Sequence, residues 1–379
     1  MASESGHRTP RRGCRAFALG LVAIGVWSVS VAASAASRYA ITDLGIAGSQ
    51  TSASGLNNKG QVVGQSIVAG QPSFGAYWDP SISVVITFGT AGVVSSRPTS
   101  INDGGTIVGN RENGTALQAT IWNGFIPSAL PALPGTTKSQ AVDINNSGTV
   151  VGVSEFGSEP SVQATMWSGG IATALNPLVA GFNSGALAIN QLGTIAGFAY
   201  DENGIHPAVW AGPTPVALDV LPGNPYSLAY DINDADIVVG TSGVNAAVWH
   251  GVIPTALDDL PGALQSAALA INDSGTIVGE GIGAYGNRAA EWRDGVVYDL
   301  FDESDALARG WSSLYYGLDI NEGGQIVGGG MIDGQNHAFL LTPVPEPEIY
   351  SLMLAGLAAL GVVARLRQVP QRQRAASAT

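Results

Sequence analysis

An all-β, seven-bladed β-propeller of four-stranded blades is the fold this sequence predicts, and three observations predict it. One nine-residue phrase, Ile-Asn-x-x-Gly-x-Ile/Val-Val-Gly, is written seven times. Its asparagines, Asn57, Asn102, Asn145, Asn190, Asn233, Asn272 and Asn321, recur at steps of 39 to 49 residues, a period that marks a repeat architecture. The last repeat stops without its fourth part, and a matching strand, Tyr39-Ala40-Ile41-Thr42-Asp43-Leu44-Gly45, stands alone at the other end of the chain. A ring closed by pairing that N-terminal strand into the last blade uses both leftovers and hides two sheet edges. A linear stack leaves both edges open and wants distinct capping repeats.

Each repeat reads as four short strands. The first is an apolar run such as Ser227–Ile232 that ends at the Asn. Asn and Gly then set a tight turn: Asn favours its start, and Gly takes a left-handed position at its end. The fifth copy has Asp236 in the Gly slot, a residue that tolerates the left-handed region better than most. The β-branched exit, Thr276-Ile277-Val278-Gly279 in the sixth copy, makes the second strand. The third ends in tryptophan at Trp78, Trp122, Trp167, Trp210, Trp249 and Trp292, with Leu341 in the seventh copy. A large aromatic in a fixed slot predicts packing between blades. The fourth part is the Ala217–Gly223 phrase, echoed at 256–262 and 129–135.

Composition bounds the function. The chain has 379 residues, 51 of them Gly, and a net charge of −13. Both ends are basic, so residues 38–344 hold eight basic and 26 acidic residues. Such a surface repels nucleic acid and anionic membranes. The one cysteine, Cys14, falls in the leader, which leaves the rest of the chain without disulfide or thiolate chemistry.

Residues 1–36 read as a signal peptide. Arg8, Arg11, Arg12 and Arg15 precede an apolar stretch from Ala16 to about Val31, and Ala33 and Ala35 frame a small-residue cleavage site. Arg11-Arg12 is followed by Gly-Cys-Arg, so the general secretion machinery is the expected partner rather than the twin-arginine route. Residues 37–343 form the repeat domain. Its wording, with His337-Ala338-Phe339 coupled to the Asn phrase, resembles the HAF-repeat family of bacterial extracellular proteins. That resemblance implies secretion and a repeat scaffold, not an activity.

Residues 344–379 are a separate device. Pro345-Glu346-Pro347 precedes an apolar run from Ile349 to Ala364, and Arg365, Arg367, Arg372 and Arg374 follow. This segment resembles a PEP-CTERM sorting tail. The resemblance implies that Pro345, Glu346 and Pro347 are read by an exosortase. A transmembrane helix over about 349–366 is expected, inserted transiently in the inner membrane of a Gram-negative-type bacterium, with its arginines cytoplasmic and the propeller outside.

Catalytic, cofactor and metal residues are not expected. His206 and His337 occupy one slot of the repeat rather than converging on a point. The stretch from Asp231 to Asp236 alternates oxygen donors but lacks the Gly and the bidentate Glu of a calcium loop. The most irregular segment, Asp299–Tyr316, causes the 49-residue step. It holds Asp302, Glu303, Asp305, Arg309 and Trp311 and reads as a ligand loop, with Trp311 as an exposed platform for sugar. Two function classes follow. One is a non-catalytic surface or matrix protein that binds exopolysaccharide or another surface protein. The other is a propeller glycosidase or polysaccharide lyase with its site at the channel mouth, which would require converging carboxylates.

Overall fold

The computed structural model describes residues 37–345, apart from 47–49, 69, 71–72, 83, 90–94, 114–115, 158–160, 224–225 and 285. The leader with Ala33 and Ala35, the motif residues Glu346 and Pro347 and the expected span at 349–366 lie outside the described residues. Among the described residues no helix is long and apolar enough to cross a membrane.

Seven four-stranded antiparallel sheets make up the fold. The first strand of each sheet carries the apolar run before the Asn. These strands are Gln50–Leu56, Ser95–Ile101, Thr136–Ile144, Ser184–Ile189, Ser227–Ile232, Ala263–Ile271 and Trp311–Ile320. Each packs beside the first strand of the next sheet, and Trp311–Ile320 packs beside Gln50–Leu56. The sheets are therefore blades of a propeller with the first strands innermost. We number the blades 1 to 7 in that order.

Local chemistry sets each blade. The backbone N–H of Gly148 donates to Asn145 O at 3.0 Å, closing the turn, and Gly148 sits at φ 81°. Asp236 takes the same place in blade 5 at φ 57°. The final Gly of the phrase has a different reason: a Cβ at Gly279 would lie on the carbonyl oxygen of Ala267 in the neighbouring innermost strand. In every blade the innermost strand carries a register shift there, for example between Ala141 and Asp143 and between Gly317 and Asp319. Such a bulge shifts the alternation by one residue and re-aims the side chains beyond it.

Packing between blades supplies the core. One cluster joins Val151 and Ala164 of blade 3 to Ile189, Ile195 and Trp210 of blade 4. The repeat tryptophans are buried, and among the described residues four indoles also donate to the preceding blade's linker. Trp167 Nε1 reaches Pro131 O, Trp210 reaches Asn176 O, Trp249 reaches Asp219 O and Trp292 reaches Asp258 O, at 2.6–2.9 Å. Trp78 Nε1 is buried without a partner. Its linker runs differently: Gly45 N–H turns to Asp43 Oδ1 at 2.7 Å, beneath the ring of His337.

The N-terminal strand Tyr39–Asp43 pairs antiparallel with Gln335–Pro343, from Tyr39↔Pro343 to Asp43↔Phe339, as the outer strand of blade 7. The irregular segment lies against it. A short helix, Leu300–Glu303, is capped by the Asp299 side chain, and a 3-10 turn, Leu307–Arg309, follows. Arg38 N–H donates to Glu303 O, Asp305 N–H to Tyr39 O, and Ile41 N–H to Asp305 Oδ1 at 2.7 Å.

Candidate functional site

The expected ligand loop is built differently from its sequence reading. Asp302 is exposed, but Asp305 is held by Ile41 N–H and by Arg309 Nε at 2.9 Å. Glu303 offers its carbonyl to Arg38. Trp311 is not an exposed platform: its ring is 2% exposed and stands edge-on to Phe339 at 5.9 Å between centroids. It opens the innermost strand of blade 7, and that position faces the core rather than solvent. The segment therefore clasps the N-terminal strand. The histidines stay apart as well: His206 pairs with Asp201 at 3.0 Å and His337 with Asp43 at 2.9 Å.

All seven blades converge instead on one cavity of about 320 Å³ at the channel mouth. Two closed belts of hydrogen bonds encircle it. In the first, each turn Asn donates its side-chain N–H to the backbone carbonyl of the next blade's Asn. The bonds run from Asn57 to Asn102, Asn145, Asn190, Asn233, Asn272 and Asn321, at 3.0–3.2 Å. Asn321 donates to Asn57 O at 3.0 Å and closes the circle. Meanwhile Asn145 Oδ1 accepts Ser147 N–H and Thr149 N–H within its own turn. One amide thus shapes a hairpin with its oxygen and joins two blades with its nitrogen.

The second belt uses the residue after each Asn. Its backbone N–H donates to the side-chain oxygen of the same position one blade on. Asn58, Asp103, Asn146, Gln191, Asp234, Asp273 and Glu322 take part, and Glu322 N–H returns to Asn58 Oδ1 at 2.9 Å. The rim therefore presents oxygens from every blade, four of them from acids.

Deeper in the mouth lie Asp143, Asp231 and Asp319, two residues before their asparagines in blades 3, 5 and 7. Each holds its own blade and the next. Asp231 accepts Ile232 N–H and Ile271 N–H, both at 2.8 Å. Asp319 accepts Ile320 N–H and Leu56 N–H, and Asp143 accepts Ile144 N–H and Ile189 N–H, at 2.7–2.9 Å. The receiving blades carry Ala188, Ala270 and Gly55 at this position, small residues that leave room for the crossing carboxylate. Seven is odd, so the alternation fails once. Blade 2 carries Ser100, which donates its hydroxyl to Asp143 Oδ1 at 2.7 Å.

Burial pushes the Asp143 carboxyl above its ordinary range despite the Ser100 and backbone donors. Burial raises Asp231 well above it, with repulsion from Asp319 and Asp143 adding to the rise. Asp319 is pushed up to about 7, again by burial first and then by Asp143. Glu322 on the rim is raised by burial and by neighbouring acids. Asp103 is held low: burial opposes this, but N–H groups of Asn58 and Asn146 outweigh it.

No set of three His, Cys, Asp or Glu among the described residues is disposed to hold a metal ion. The stretch from Asp231 to Asp236 shows why. Asp231 faces the channel, Asp234 joins the rim, and Asp236 accepts from Asn190 Nδ2 at 3.0 Å, so their oxygens diverge. What the mouth offers chemically is a ring of hydrogen-bond acceptors with negative charge. The sequence places the site of the alternative enzyme at the channel mouth but does not single out these residues, because each copy shows only one shared Asn and one variable polar residue. The spacing of Asp143, Asp231 and Asp319 two residues before an Asn was the available signal.

The profile of the PEP-CTERM protein-sorting motif matches residues 343–368. No curated protein matches the chain. Among solved structures, the extracellular domain of a putative one component system from B. thetaiotaomicron is similar at 10% identity and a TM-score of 0.50. That match covers 82% of this chain and 40% of the other. A puromycin-hydrolyzing peptidase from Mycobacterium tuberculosis matches at 14% identity and a TM-score of 0.48, over 74% of this chain and 49% of that one. A mutant of AofleA from Arthrobotrys oligospora matches at 13% identity and a TM-score of 0.32, over 69% and 85%. This chain thus spans less than half the length of the first two. At these identities the likeness extends to the fold alone.

Proposed function

We propose that this chain is an exported, exosortase-sorted protein of the cell surface or extracellular matrix, whose propeller serves as a non-catalytic scaffold or binding module. The observation that carries the reading is positional. The sorting-motif match starts at residue 343, where the last strand of blade 7, Gln335–Pro343, ends. A folded domain followed directly by a sorting tail is the layout of an exported cargo. The host is a Gram-negative-type bacterium, the general secretion machinery and an exosortase handle the chain, and a helix over about 349–366 holds it transiently in the inner membrane. The HAF-repeat likeness supports an extracellular scaffold. The N-terminal strand acts as the fastener of the ring, and the Asp299–Tyr316 segment serves that fastening.

The partner we propose is an exopolysaccharide or another surface protein, met at the acceptor-lined mouth. A glycan array probed with residues 37–343 tests the binding class. Intact-mass measurement of the released protein tests the sorting class, and recovery of the full C-terminus through Thr379 would reject it. One observation favours a second reading, a glycosidase or lyase: Asp143, Asp231 and Asp319 share one lumen, and Asp319 is raised to about 7, the range of a general acid. Against it, both oxygens of each carboxylate are held by backbone N–H groups of two blades. Release of reducing ends from a glycan that the array identifies would decide for the enzyme.

A further inference from the structure

The three deep carboxylates have neighbours of one sign. Among the described residues, the titratable groups lining their cavity are Asp103, Asp234, Asp273 and Glu322 on the rim and the three themselves, with no Lys, Arg or His. Charges on the elements packed around them look elsewhere. Arg97 and Lys138, on the innermost strands of blades 2 and 3, pair with Glu112 and Glu155. Lys59, in the blade 1 turn, acts on Asp103, and Asp236 accepts from Asn190. Among the described residues Asp143, Asp231 and Asp319 therefore share one lumen without a counter-ion, and their charges repel across it. Each is also a strap, because one carboxylate holds N–H groups of two adjacent blades. The three straps span blades 3 to 4, 5 to 6 and 7 to 1, and the last lies at the junction of the two ends of the repeat domain.

We propose that Asp143, Asp231 and Asp319 form a proton-operated collar, tight in mild acid with a proton held within the set and loosened as that proton leaves to solvent near neutrality. The proton removes one charge from a lumen without cations and relieves repulsion that the backbone donors only partly offset. The raised positions of these groups agree with this. Because protons leave the set in steps, the behaviour belongs to the three together. The direction follows from linkage. Groups raised in the folded state stabilise it at low pH, and that stability is lost as pH rises through their folded values. The collar thus ties the firmness of the mouth to the acidity of the medium around the cell.

Infrared difference spectroscopy on the purified exported protein, between about pH 5 and about pH 8, reads the proton directly. The expected result is a protonated-carboxyl band that disappears across this range in the parent and is weakened in Asp231→Asn and in Asp319→Asn. Melting temperatures over the same range provide a second readout. The parent should melt several degrees higher at the acid end. That difference should persist in high salt, which screens surface acids more than lumen ones, and should shrink in both variants. A parent spectrum without the band at about pH 5, or a band and pH slope unchanged by either substitution, would overturn the collar. Glu280, Asp299 and Glu322 are raised by burial as well, so the band supports the collar only through its loss in the variants, whereas its absence from the parent overturns the collar even if a variant fails to fold.

Discussion

The side-chain amide of Asn321 in the last blade donates to the backbone carbonyl of Asn57 in the first, at 3.0 Å and across 264 residues of sequence. The same contact occurs between every other pair of adjacent blades, so the belt has no free end. Each bond is individually modest, on the order of 1 kcal/mol net. The repeat makes them collective, because rotating one blade out of place disturbs both of its belt bonds.

Asn145 tests the belt apart from the turn. Asn145→Ala removes the acceptor for Ser147 and Thr149 N–H and the donor to Asn190 O, and should cost about 2–3 kcal/mol. Asn145→Asp keeps the acceptor and removes only the donor, so it should cost about 1–2 kcal/mol. Urea melts of both variants check this. An Asp variant as stable as the parent would reduce the belt to turn chemistry.

Removal of residues 38–45 tests the fastening of blade 7. It would expose the edge of Gln335–Pro343, and aggregation or a large loss of stability is the expected result. Asp305→Ala should weaken the same junction by about 1–2 kcal/mol, since it deprives Ile41 N–H and Arg309 of their acceptor. Thermal melts with light scattering measure both. A deletion that melts like the parent would refute the fastening.

The orphaned indole gives a comparison between blades. Trp249→Phe loses ring area and the bond to Asp219 O, whereas Trp78→Phe loses ring area alone. Trp249→Phe should therefore cost about 1 kcal/mol more than Trp78→Phe. Equal losses would show that the four indole bonds add nothing measurable.

Gly279 tests the close approach of the second strand. Gly279→Ala would press its methyl into Ala267 O and should cost about 2–4 kcal/mol, by analogy with other overpacked sites. Gly212→Ala, with open space at the same atom, should lie within about 0.5 kcal/mol of the parent. Denaturant midpoints of the pair decide it.

The pH profile should have a maximum in mild acid. Asp79 is held down to about 2, most by its Ser81 hydrogen bond, so its contribution is present above the ordinary Asp value and lost as pH falls through about 2. Asp319, raised to about 7, has the opposite sign: its contribution is present in acid and lost as pH rises towards about 7. Melting temperature should therefore peak near about pH 4–5 and fall on both sides. A profile that rises steadily to about pH 8 would contradict the sign.

The repeats were legible because each copy carries its own local instruction. Asn145 and Gly148 make a turn from contacts within five residues, so the turn can be read wherever the phrase occurs. Trp167 and its counterparts were legible as core for a similar reason, a large apolar group in a fixed slot. Trp311 was misread by the same logic, since it lies outside that slot yet opens an innermost strand. Asp305 was read as a ligand group because its partner, Ile41, is 264 residues away.

The sequence by itself determined the number of units, the strand content of each, a leftover strand at one end and a last repeat that lacks its fourth part at the other. Those properties rest on local turn chemistry and on the alternation of apolar residues, which every copy repeats. Tertiary structure alone decided what the recurring Asn does with its nitrogen, and where Asp143, Asp231 and Asp319 meet. A donor and its acceptor in adjacent blades are 39 to 49 residues apart, or 264 where the last blade meets the first, and three carboxylates in one lumen are 88 or more apart. Nothing in a linear reading sets such distances. Ring closure sets them, because bending seven sheets into a circle brings one position of every blade to a common axis, where unlike partners join the blades and like charges repel.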